Sequence, residues 1–141
     1  MTDDSAGSRG SNQRPPDPVT IDTLPDDVEV IVEALLERNA RLPVLLDLRG
    51  LSDAADYFVI ASGDSDTHAR AIADTVMERG RAAGIRPAGI EGQRTGSWIL
   101  IDYISAVVHV FIPRVRDFYR LEELWGDAPL IRLEEAAPGP T

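Results

Sequence analysis

Cysteine is absent from the 141 residues, which excludes disulfide staples, thiolate-ligated zinc and thiol catalysis together. No apolar run approaches the roughly 18 residues that a membrane span needs. The opening stretch, Met1 to Gly10, has neither the basic nor the apolar section of a secretory signal. A cytoplasmic setting is therefore expected. Basic residues are also sparse, 14 against 24 acidic ones, for a formal net charge of −10. Such a surface disfavours direct contact with nucleic-acid phosphates or anionic lipid, and it favours steered encounter with a basic protein. The same charge also fits a chain that is acidic only for solubility.

What is present is enough for one packed domain, since 43% of the residues are hydrophobic. Residues 1–20 hold three of the ten prolines among Ser, Gly, Asp and Asn, and read as a disordered leader. Residues 136–141, ending Pro-Gly-Pro-Thr, read as a disordered tail, which leaves a folded domain over 21–135. Within it, Val28, Ile31, Val32, Leu35 and Leu36 recur at helical spacing behind an N-cap expected at Asp22 or Thr23. Pro43 is expected to stop the chain from continuing as helix, and strands are expected at Val44–Leu48 and Tyr57–Ser62. Gly63 with Asp64 or Ser65 opens a long helix to about Ala83, closed by Gly84. A short strand at Arg86–Ile90 precedes a Gly-rich loop, Glu91–Gly96. Trp98–Tyr103 and Ala106–Ile112 then form an antiparallel hairpin about Ile104-Ser105. A last helix over Val115–Trp125 should turn Phe118, Leu121 and Leu124 inward. The fold class that results is α/β, a mixed sheet of five strands with about three helices.

The hairpin is apolar on both faces. Trp98 and Leu100 lie on one side and Ile99, Ile101 and Tyr103 on the other; Val107 and Phe111 alternate with Ala106, Val108 and Val110. Three helices covering both sides would make this plain core. Otherwise an apolar patch stays open, as at a protein-docking face, with Trp98 beside the Gly-rich loop as its natural anchor.

Candidate chemistry is thin. Asp64 and Asp66 stand one residue apart at a helix start, where two carboxylates could hold Mg²⁺ for nucleotidyl transfer. Helix capping accounts for the same residues. A phosphate cradle there would be opposed by both charges. His68, His109 and Asp102 could bind zinc or exchange protons, although a single histidine in a strand more commonly serves structure or an interface. No nucleophile with an adjacent base emerges, so no catalytic residue, cofactor or metal is assigned. A metal-dependent nucleotidyltransferase-like enzyme using Asp64 and Asp66 stands as the alternative.

Several segments taken in order resemble one family. They are Leu46-Asp47-Leu48-Arg49-Gly50-Leu51-Ser52, Ala55-Asp56-Tyr57-Phe58-Val59-Ile60-Ala61-Ser62-Gly63, and Ser65 with His68 and Ala71-Ile72-Ala73-Asp74. The second half adds Glu91-Gly92, Trp98-Ile99-Leu100-Ile101-Asp102-Tyr103, Val107-Val108-His109-Val110 and Phe118-Tyr119-Arg120-Leu121-Glu122-Glu123-Leu124-Trp125. Over roughly residues 24–132 the chain resembles the ribosomal silencing factors, also called Iojap-like. The resemblance implies a nucleotidyltransferase-like fold without catalytic residues. It implies binding to the large ribosomal subunit through ribosomal protein L-fourteen, which blocks subunit association and represses translation under nutrient limitation. It also implies a homodimer when free. Carried over residue by residue, the family's contact surface falls on Trp98, Tyr103 and Phe111, with Glu91 and Asp102 as acidic neighbours. One departure is the hairpin turn, commonly Gly-Asp in the family and Ile104-Ser105 here, which should alter the turn and removes an acidic contact.

Overall fold

A computed structural model describes residues 17–133. Two long helices and a broken third surround a mixed sheet of six strands rather than five. In chain order the elements are α1 (Asp26–Glu37), β1 (Arg41–Asp47), β2 (Tyr57–Ser62), α2 (Asp66–Ala82), β3 (Gly89–Glu91), β4 (Trp98–Asp102), β5 (Ala106–Phe111), α3 (Pro113–Tyr119), α4 (Leu121–Leu124) and β6 (Leu130–Arg132). Across the sheet the strands lie β3-β4-β5-β2-β1-β6. Only β2 and β5 run parallel; every other neighbouring pair is antiparallel. The strand that the sequence pattern misses is β6, three residues long and held only by its pairing to β1. So short a run carries no periodicity of its own.

The expected elements shift at their ends for local reasons. Thr20 and Thr23 satisfy each other in a turn, Thr23 Oγ1 accepting from Thr20 N at 2.8 Å, so α1 starts at Asp26 behind Pro25. Pro43 lies inside β1, where the pairing with β2 slips between Arg41 and Val44. A bulge tolerates a residue without an N–H, and the Pro43 carbonyl still accepts from Leu133 N at 2.9 Å. The strand expected at Arg86–Ile90 narrows to Gly89–Glu91. The helix expected over Val115–Trp125 breaks at Arg120, whose φ of 47° is left-handed. That break resets the helical phase. Leu121 stays buried, while Phe118 and Leu124 point to solvent at 78% and 73% exposure instead of inward. Of the expected leader, Asp17–Thr20 are described: Val19 packs on the core and the Asp17 carbonyl accepts from Arg49. Residues 1–16 and the tail 136–141 lie outside the described residues.

The sheet buries two separate clusters. On one face, α1 and α2 pack over Leu45, Val59, Ala61, Ile99, Ile101, Val108 and Val110. Ser65 caps α2 by accepting from His68 N at 3.1 Å. On the other face, Val44, Leu46, Ile60 and Phe111 are covered by Leu121, Ala128 and the flanks of Val115 and Trp125. Arg116 ties this short cover down. Its guanidinium donates to Glu122 at 2.6 Å and to Ser62 Oγ at 3.0 Å, with its side chain only 10% exposed.

The hairpin turn carries strain that its sequence did not require. Ile104 has φ 73° with its side chain 68% exposed, a left-handed position that a β-branched residue rarely takes. Asp102 Oδ1 holds the turn by accepting from Ile104 N at 2.7 Å. Replacing Ile104 with Gly removes the strain and little packing. It should raise the free energy of unfolding in urea by about 1 kcal/mol; a loss instead would mean that the Ile side chain stabilises the turn.

Candidate functional site

Strand register sorts the hairpin side chains without ambiguity. Residues paired across an antiparallel or parallel ladder point to the same face. Trp98 pairs with Phe111, Leu100 with His109, and Asp102 with Val107. Through β5 to β2, Phe58 pairs with Val107 and Ile60 with His109. These residues therefore share the face opposite α1 and α2. Here α3 and α4 are too short to cover them all: Trp98, Leu100, Val107 and Phe58 remain half-buried. The open strip runs into exposed aromatics on α3, which buries none of its residues. Trp98 stacks on Tyr119 with centroids 4.7 Å apart, and Tyr119 meets Phe118 edge-on at 5.0 Å.

Of the three expected contact residues, Trp98 and Phe111 come together, with ring centroids 4.9 Å apart. Phe111 is 1% exposed, so it supports the Trp98 ring from beneath. Tyr103 is elsewhere. Five residues beyond Trp98, it faces the helices, buried in their cluster with its hydroxyl against Gly80 of α2. Burial raises the Tyr103 hydroxyl pKa, and its oxygen has no hydrogen-bond partner among the described residues. Phe118 and Tyr119, which a continuous helix would have turned inward or left equivocal, are the aromatic residues that the face adds. The exposed Phe118 became visible only with the break at Arg120.

Beneath this face lies His109, 3% exposed. Its Nδ1 accepts from Trp98 Nε1 at 3.1 Å, which places the proton of the neutral ring on Nε2. Nε2 has no partner among the described residues. Phe58 packs against the imidazole at 4.5 Å. Burial alone pushes the pKa of His109 down to about 4, so the ring is neutral at pH 7.

The carboxylates weighed for metal chemistry are otherwise engaged. Exposed Asp64 accepts from Arg41 Nε at 3.0 Å, an interaction that lowers its pKa, and Asp66 lies 3.5 Å from Arg70. His68 is saturated between the Asp64 backbone N–H at 2.8 Å and the Arg38 carbonyl at 2.8 Å, so it joins α2 to the end of α1. It lies far along the chain from His109, and among the described residues no group of three His, Asp or Glu side chains could hold a metal ion. A cleft of about 570 Å³ between Ser62, Pro113 and Arg116 is lined by charges paired with each other, Arg116 with Glu122 and Arg120 with Glu123.

With this geometry in place, comparison with known proteins decides the family. The model of the family described as "ribosomal silencing factor during starvation" matches residues 21–140. The chain belongs to the ribosomal silencing factors. A relative in Halalkalibacterium halodurans, named ribosomal silencing factor, is 38% identical over 76% of this chain and 92% of its own. A mouse relative, named for mitochondrial assembly of the large ribosomal subunit, is 31% identical over 70% of this chain, which spans 45% of that protein. A crystal structure of a Chromobacterium violaceum protein superposes with a TM-score of 0.70 at 31% identity, covering 82% of this chain and 88% of that one. The solved neighbour supports the α/β architecture, and the bacterial relative bears the name of a regulator rather than of an enzyme. No described helix of this silencing factor is long and apolar enough to cross a membrane.

The buried histidine sets a pH dependence. A base whose folded pKa is depressed binds fewer protons folded than unfolded, so its contribution to stability is complete above the unfolded value of 6.5 and is lost toward about 4. Wild type minus His109→Gln, compared by urea unfolding between pH 7 and 4, should show wild type losing up to roughly 3 kcal/mol more. Parallel curves would place the imidazole in contact with water.

Proposed function

We propose that this ribosomal silencing factor docks on the large ribosomal subunit through ribosomal protein L-fourteen, using the sheet face around Trp98. Occupying that surface blocks association of the two ribosomal subunits and represses translation under nutrient limitation. Trp98 is the anchor, Phe111 its buried support, and Tyr119 and Phe118 extend the contact. Tyr103, on the helix-covered face, would act only by bracing the hairpin. The observation that carries the reading is the aromatic strip itself: Trp98 half-exposed, Tyr119 and Phe118 exposed, on the one sheet face that the long helices leave open. Trp and Tyr concentrate binding energy at interfaces because they bury much area with few rotatable bonds.

Charge supports the same partner. The net charge of −10 suits a basic ribosomal protein and speeds encounter with it. Glu91 pairs with Leu100 and therefore points to the open face, as does Asp102, so both can meet cations at its rim. The mouse relative's name, which concerns the large ribosomal subunit, is in line with that choice of subunit. The protein works in the cytoplasm, without cofactor or catalysis, on a fold akin to the nucleotidyltransferases. When free it forms a homodimer.

Trp98→Ala should weaken co-sedimentation with purified large subunits about 30-fold, the scale of an interface hot spot. Phe118→Ala, which removes an exposed ring and leaves folding intact, should weaken it about 5-fold. Undiminished co-sedimentation by both variants would rule this face out as the docking surface.

A further inference from the structure

We propose that His109 is a positioning residue for docking, holding the Trp98 indole in a fixed pose before any partner arrives. The inference rests on the docking reading of Trp98 given above.

Trp98 begins β4 directly after the loop at 92–97 and packs on rings of unequal firmness. Phe111 is buried core, whereas Tyr119 sits on α3, a short helix that buries nothing. The one polar tether of the indole is His109 Nδ1 at 3.1 Å. With its N–H edge turned inward, the exposed part of the ring is hydrocarbon, which suits apolar contact and leaves no donor to satisfy across the interface.

The histidine is otherwise a poor core residue. It lies among Ile60, Phe58 and Phe111, where an aliphatic side chain would pack without polar cost. Its Nε2–H has no partner among the described residues, and a buried orphan donor destabilises the fold. Fixing Trp98 is the return for that cost.

No charge on this face among the described residues, exposed Glu91 of β3 beside Leu100 included, shifts the buried imidazole. On this face Asp102 of β4 caps the Ile104 N–H, and Arg116 of α3 is taken up by Glu122, Ser62 and the Arg41 carbonyl. The strand β2 presents Phe58, Ile60 and Ser62, and α4 buries Leu121. The imidazole therefore acts as a neutral acceptor at pH 7, and its protonation gives a readout of the bond.

Two variants separate positioning from bulk structure. His109→Gln keeps an acceptor that does not titrate; His109→Leu keeps volume without one. In the free protein, NMR of the indole N–H groups, assigned with Trp125→Phe, should show the Trp98 signal shifting as pH falls toward about 4. The shift should be absent in His109→Gln, and in His109→Leu the signal should move to that of an unbonded indole at every pH. At neutral pH, His109→Leu should bind large subunits about 5-fold more weakly, the size of the cost of ordering one loose side chain. His109→Gln should restore binding to within about 2-fold of wild type by the same measure. An unshifted indole signal in His109→Leu, or wild-type binding by that variant while Trp98→Ala fails to bind, overturns the proposal. Wild-type binding by Trp98→Ala overturns the docking reading instead, and the NMR arm still reports whether the tether exists.

Discussion

A sheet that is apolar on both faces needs cover on both, and this chain distributes its helices unevenly. The 12 residues of α1 and the 17 of α2 lie together over one face. The other receives 7 and 4 residues of helix, held by an Arg116 ion pair and by Leu121. The remainder is left as half-buried Trp98, Leu100, Val107 and Phe58 beside exposed Tyr119 and Phe118. In a monomeric domain such a strip costs hydration free energy unless something else covers it. Family membership and the open face therefore point the same way, toward a protein that works by occupying a surface.

Groups that could have formed a reactive site are spent on the fold. Asp64 and Asp66 lie in ion pairs with Arg41 and Arg70, and His68 bridges α1 and α2. Asp47, mostly buried, is matched to Arg49 at 2.8 Å, which keeps its pKa low. On the open face, Asp102 caps the hairpin turn and Arg116 ties down α4, while the Trp98 indole is held by one hydrogen bond to a neutral histidine.

Much of this was legible from parity. The alternation in β4 and β5 places Trp98, Leu100 and Phe111 together, and the structure pairs them. The same parity puts Tyr103 on the other side, five residues on, so a contact set of Trp98, Tyr103 and Phe111 taken from resemblance could not lie on one face. His109 shares the parity of Phe111, but its tether to Trp98 needs the register of two strands, which spacing alone does not supply. The break in the final helix is silent in the sequence, because Arg is a good helix former and nothing in Tyr119-Arg120-Leu121 signals a left-handed residue. With one φ angle, Phe118 and Leu124 face solvent and only Leu121 of the expected inward set stays buried. The sixth strand escaped because its stability comes from pairing with β1 across a long stretch of chain, a non-local cause.

The central claim is that the helix-poor face is the working surface, and side-chain footprinting tests it most directly. Hydroxyl-radical oxidation of the protein, alone and with excess large ribosomal subunits, would be read by mass spectrometry at each aromatic and aliphatic residue. The account predicts that Trp98, Tyr119 and Phe118 lose reactivity together, while Val30 of α1 and Met77 of α2, partly exposed on the opposite side of the sheet, keep theirs. Unchanged reactivity at Trp98 and Phe118, with protection on the solvent side of α1 and α2, would contradict it.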